Sequence, residues 1–207
     1  MKAIYIIFIF SFIYSHDKMR CPVEVTRDQR PSLENSYQSP TGHFLIHYDT
    51  TTENAPNLSD LNQNDIPDYI EQVGLAADSS RYVLTEQMGF IKETDDEDGI
   101  YDIYVLNLST NLWGQTQYET EGSTFIKIRN SYEGMSNFCD DSNQLLWLTV
   151  AHEFFHAIQY TYKPSFNDSY FRELSSMWFE NVFVPNCFDF LDFVDMSSNS
   201  LFNNPDR

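Results

Sequence analysis

His152-Glu153-Phe154-Phe155-His156 sits inside a long run of mostly apolar residues that ends at Lys163-Pro164. The run predicts a helix over about 143–162, with Asp141 or Ser142 as its N-cap. Positions four apart share a helix face, so His152 and His156 can hold one ion between them. Glu153 lies about 100° round from His152, close enough to reach a water on that ion without binding the metal itself. Neutral imidazoles suit Zn²⁺, and a catalytic zinc site needs three protein ligands and an open position. The competing reading is two partly buried histidines beside a surface glutamate.

The third ligand must come from another element. His16 lies at the expected cleavage site, and His43 and His47 share one face of a short strand, where polar sheet positions explain them better than ligation. A second helix is predicted over about 169–184, capped by Asp168 and stopped by Pro185. On it Glu173, Met177 and Glu180 recur at i, i+4 and i+7, one face. Antiparallel packing against the His helix brings Glu173 near His156, as third ligand. Glu180 is then the acceptor for the other ring N–H of a ligand histidine. Solvated helix charges are the alternative for both.

Residues 16–40 carry Pro22, Pro31 and Pro40 and read as an extended lead-in. His43–Tyr48 alternates as a strand, with Phe44, Ile46 and Tyr48 on one face. A helix is predicted from Pro67, with Ile70, Val73, Ala77, Leu84 and Met88 as its apolar stripe and Gly89 as its stop. Strands are predicted over 100–108, 113–118 and 123–129. The architecture is α+β, in one domain over 41–207.

Asp60-Leu61-Asn62-Gln63-Asn64-Asp65-Ile66-Pro67-Asp68-Tyr69-Ile70-Glu71 fits the twelve-residue calcium-loop template. Asp60, Asn62, Asn64 and Asp68 supply side-chain oxygens, Ile66 a backbone carbonyl, and Glu71 the last carboxylate. Position six is Asp65 where glycine is usual, and Asp tolerates the left-handed region better than most residues. An Asx-turn and helix cap without an ion is the competing reading. The run Asp95-Asp96-Glu97-Asp98 lacks such spacing and reads as a solvated turn.

The 207 residues carry 31 Asp plus Glu against 12 Lys plus Arg, a net charge of −19. That balance argues against nucleic-acid binding, which needs clustered cations. It fits an extracellular surface and divalent cations. Lys2 followed by the apolar run Ala3–Tyr14 has the length of a signal-peptide core, with Ser15 before the cleavage point. Residues 1–15 therefore read as a signal peptide, and the protein as secreted. No small-residue lipidation box precedes Cys21, so no stable membrane anchor is expected. Export makes disulfides possible for Cys21, Cys139 and Cys187. Cys139 precedes the His helix and Cys187 follows the second helix; if the two pack antiparallel, these two cysteines meet and Cys21 is left over.

With these stretches in place, the chain resembles the zincin metallopeptidases, in the branch with two His and a Glu, whose second helix reads Glu, six residues, Glu. It is also similar to a poorly characterised group of secreted bacterial metalloproteases. The matching stretches are His43–Asp49, Ile66–Glu71, Tyr101–Tyr104, Ala151–Gln159 and Glu173–Glu180. The resemblance spans about residues 41–205 and is most specific at the His helix; Ser175-Ser176 and Asn181 depart from the pattern. It implies a small mixed sheet packed against the His helix and the ligand helix, and a domain that continues past Arg207. It also implies that the strand 124–129 offers substrate an edge.

Two functions follow as expectations. One is a secreted zinc endopeptidase acting on protein or peptide, with His152, His156 and Glu173 on the metal and Glu153 as general base. Its oxyanion would need a donor, for which Tyr160, Tyr162 and Tyr170 are the nearest phenols. The other is a calcium-dependent extracellular binding or adhesion module whose metal helix is structural or degenerate.

Overall fold

The computed structural model describes residues 30–94, 98–109, 111–119, 122–135, 139–163 and 169–188. The signal peptide over 1–15, the lead-in as far as residue 29, Cys21, the acidic residues 95–97, the Asp168 cap and the chain beyond 188 lie outside them. Among the described residues, five strands form one mixed sheet: β1 (Asn35–Gln38), β2 (Phe44–Tyr48), β3 (Tyr101–Leu106), β4 (Gly114–Tyr118) and β5 (Thr124–Arg129). The helices are α1 (Asp68–Arg81), α2 (Ser142–Tyr162) and α3 (Ser169–Phe183). The α+β architecture is therefore the observed one. No helix among the described residues is long and apolar enough to cross a membrane.

The strand order is β1-β2-β3-β5-β4. β2, β3 and β5 run parallel, while β1 and β4 are antiparallel edges. Two expectations change here. The end of the lead-in is a strand: Asn35–Gln38 pairs with β2, from Asn35 opposite Tyr48 to Gln38 opposite Leu45. The strand 124–129 is not an edge. It lies between β3 and β4, with both sides paired, and β4 is the outermost described strand on this side.

The alternation in β2 sends Phe44, Ile46 and Tyr48 inward. With Ile103, Val105, Ile126 and Ile128 they form the sheet face on which α1 and α2 pack. Phe154 of α2 meets the rings of Phe44 and Tyr101 edge-on, at 5.2 and 5.7 Å between centroids. α2 is buried around most of its circumference from Leu145 to Tyr160, as expected for an apolar helix lying between a sheet and two other helices. Asp141 is its N-cap, accepting from the Gln144 N–H at 2.8 Å.

α1 starts one residue later than predicted. Pro67 has an extended ψ of 134° and is the cap, with its carbonyl taking the Ile70 and Glu71 N–H groups. Past Arg81 the helix widens into a π-helical turn over Tyr82–Gln87. The Thr85 hydroxyl donates to the Arg81 carbonyl, competing for an acceptor that the backbone would use. Gly89, at φ +77°, ends it in the left-handed region as predicted.

Cys139 and Cys187 are joined by a disulfide, with Cα atoms 4.2 Å apart across 48 residues of chain. The bridge closes a loop containing both α2 and α3. Replacing Cys187 by Ser is expected to cost about 2–4 kcal/mol, from the greater freedom of the unfolded chain. Urea melts check the loss, and peptide mapping of the non-reduced protein checks the pairing. A linkage through Cys21 would contradict it.

Candidate metal centre

α2 and α3 run antiparallel, so contacts step up one helix as they step down the other: His152 meets Glu180, His156 meets Ser176, and Gln159 meets Arg172. This packing brings the predicted ligands together. His152 Nε2 and His156 Nε2 are 3.0 Å apart. Glu173 places Oε2 3.3 Å from His152 Nε2 and Oε1 3.2 Å from His156 Nε2. Tetrahedral ligation with bonds of about 2.0–2.1 Å requires ligand atoms roughly 3.3 Å apart; the two nitrogens, and each nitrogen with one of the two Glu173 oxygens, lie close to that separation. Among the described residues, His152, His156 and Glu173 are the one set of three or more His, Cys or acidic groups whose donor atoms lie within 4.8 Å of one another.

The outer ring nitrogens fix the tautomers. His152 Nδ1 faces Glu180 Oε1 at 2.5 Å. His156 Nδ1 faces Gln159 Oε1 at 2.9 Å. The Gln159 amide is oriented by its own donation to the Arg172 carbonyl, with the Ser175 and Ser176 hydroxyls also on its nitrogen. Each Nδ1 therefore donates, and in the neutral rings both Nε2 lone pairs converge on one point.

That point can hold a cation. Glu153, Glu180 and the two histidines are almost wholly buried, and Glu173 largely so. Glu173 Oε1 is shut off from solvent and receives no hydrogen bond, a costly state for a carboxylate oxygen unless a positive charge neutralises it. Burial acts to keep His152 neutral, but the Glu180 carboxylate, with Glu173 beside it, raises its pKa well above that of a free imidazole. Burial likewise acts to raise the Glu173 pKa, and the His156 and His152 rings overcome it, leaving the carboxyl well below its usual range. Two nitrogens and one carboxylate oxygen are a donor set that suits zinc.

Glu153, next to His152, points toward β4. Its Oε2 is 2.8 Å from the Thr116 hydroxyl, which also lies 2.6 Å from the Glu153 carbonyl. A small cavity of about 10 Å³, lined in part by Gly114, Thr149, His152, Glu153 and Glu180, adjoins it. The predicted roles of Glu153, Glu173 and Glu180 thus fall on residues that the fold gathers at one place. Sequence reasoning missed Gln159, Ser176, Thr116 and Gly114. Gln159 is three residues past His156, a spacing that places them on one face and was legible. The other three are set by tertiary packing.

The remaining candidates lie elsewhere. His47 is on the opposite sheet face, with Nε2 2.6 Å from Asp102 and its ring stacked on Tyr104. Of the phenols, the Tyr160 ring lies under the Arg172 guanidinium at 4.3 Å and against Tyr118. The Tyr162 hydroxyl accepts from the Ile91 N–H. The Tyr170 side chain is outside the described residues. In the 60–71 loop, Gln63 and Asp65 have φ of 60° and 69°. The Asp60 carboxylate takes the Asn64 and Asp65 N–H groups at 3.2 and 2.8 Å. Asn62 and Asn64 donate their amides to Glu71, and Asp68 accepts from the Leu61 N–H. The Ile66 N–H donates to Asn64 Oδ1 at 3.0 Å.

Compared with family models, curated proteins and solved structures, the chain matches none.

Proposed function

We propose that this protein is a secreted zinc-dependent endopeptidase of zincin type. The observation that carries the reading is the convergence of His152 Nε2, His156 Nε2 and Glu173 at 3.0–3.3 Å, with Glu153 one residue from the first ligand. A purely structural zinc site has no use for Glu153. His152, His156 and Glu173 would hold the ion, which supplies a Lewis acid that polarises a carbonyl and makes water a nucleophile at neutral pH. Glu153 takes the proton of the attacking water and passes it to the leaving amine. Glu180 and Gln159 keep the two rings turned toward the site through their Nδ1 atoms.

Metal analysis of the secreted protein, together with a casein digestion assay, tests this. One zinc per chain is expected, with activity lost to a zinc chelator and restored by zinc. A zinc-loaded protein that cleaves neither casein nor a peptide library would leave the calcium-dependent binding module as the better reading.

The same reading includes a calcium ion in the 60–71 loop. Asp65 adopts the left-handed backbone that position six of the template requires, and the Asp60 carboxylate gathers the amides that follow it. Calcium is expected to raise the melting temperature, since an ion that binds only the folded state stabilises it by mass action. Asp60→Ala or Glu71→Ala should cancel the gain. Equal melting in calcium and in a calcium-selective chelator would remove this part of the reading.

A further inference from the structure

We propose that Thr116 is a positioning residue for Glu153, acting with Gly114 so that edge strand β4 fixes the carboxylate of the general base. The inference rests on the peptidase reading of Glu153. A glutamate has three side-chain torsions and several accessible rotamers, so a general base on a helix needs an external constraint to hold one geometry.

β4 supplies two. Gly114, Thr116 and Tyr118 alternate onto one face of the strand, and that face meets α2: Gly114 and Thr116 at Glu153, and Tyr118 at Tyr160. The first constraint is space. A Cβ at position 114 would lie 2.7 Å from Glu153 Cγ, 2.8 Å from Thr149 Cγ2 and 3.0 Å from Glu153 Oε1. Gly114 is not among the residues with positive φ, so glycine is required there for close approach rather than for backbone conformation. The second is the Thr116 hydroxyl, 2.8 Å from Glu153 Oε2 and 2.6 Å from the carbonyl of the same residue. The one hydroxyl hydrogen is shared between two acceptors of the same residue, which favours the rotamer that keeps both within its reach.

The test compares Thr116→Val, which keeps the branched shape and removes the hydroxyl, with Thr116→Ser, which keeps the hydroxyl. Zinc content should be unchanged in both. Thr116→Val should lower kcat about 10- to 100-fold with KM nearly constant, as expected for a displaced catalytic group. Thr116→Ser should restore most of the turnover. Wild-type kcat in Thr116→Val, or equal loss in both variants, would overturn the role. High-resolution crystal structures of the zinc-loaded wild type and Thr116→Val give a readout that needs no activity. Glu153 should occupy one rotamer on Thr116 in the first and spread or move in the second; an unchanged Glu153 would overturn the proposal. Absence of hydrolysis by the zinc-loaded wild type would instead count against the peptidase reading, and the crystal comparison would still decide the role of Thr116.

Discussion

Glu153→Gln is expected to abolish hydrolysis while zinc stays bound. The substitution preserves the shape of a side chain that is almost wholly buried and packed against Gly114 and Thr149, so the helix and its histidines have no reason to move. The amide oxygen can still accept from Thr116, as Oε2 does now. What is lost is the capacity to take a proton. Removing a general base costs roughly 100- to 10,000-fold in rate, and since one residue serves as base and then as acid, the upper part of that range is expected. Steady-state kinetics on an internally quenched peptide, with zinc measured in the same preparation, checks both halves. Near-wild-type turnover would sink the mechanism. Zinc loss in this variant would mean that Glu153 supports the metal rather than the water.

The parts of this site that were legible in the sequence are those carried by a single helix or by the relation of two consecutive ones. His152 and His156 are four apart, and Glu173 and Glu180 seven apart, so each pair lies on one face whatever the rest of the fold does. Antiparallel packing of neighbours joined by a short connection then aligns the pairs, and the cysteines at the helix ends follow from the same geometry. Strand order is a different kind of fact. β4 and β5 both read as short strands, but which of them is the edge depends on β5 pairing with β3, a contact such as Ile103 opposite Ile126 that no local pattern encodes. β1 was hidden for another reason. Asn-Ser-Tyr-Gln lacks the apolar alternation of a half-buried strand, because an antiparallel edge is held by backbone pairing to β2 more than by burial. Gly114 and Thr116 were invisible because each matters only through α2, which lies far along the chain and packs directly against them.

Removing a ligand is expected to act differently from removing the base: His156→Ala and Glu173→Ala should lose the metal, and activity with it. Each takes one of three donors from a site with no fourth protein group at hand among the described residues. Glu173→Ala also leaves the two Nε2 lone pairs facing each other at 3.0 Å without the carboxylate that completes the set. Glu180→Gln should weaken zinc binding less, by roughly ten- to a hundred-fold. Its Oε1 faces Nδ1 of His152, the nitrogen turned away from Glu173, so its effect passes through the orientation and basicity of the ring. Gln is the better probe here than Ala, because Ala at this buried position would leave an N–H without an acceptor, at a cost of about 1–3 kcal/mol, and so mix folding with binding. Competition with a chromophoric zinc chelator ranks the variants. If Glu180→Gln releases the metal while Glu173→Ala retains it, the third ligand is Glu180, and the 3.2–3.3 Å separations around Glu173 describe an ion pair rather than a ligand set.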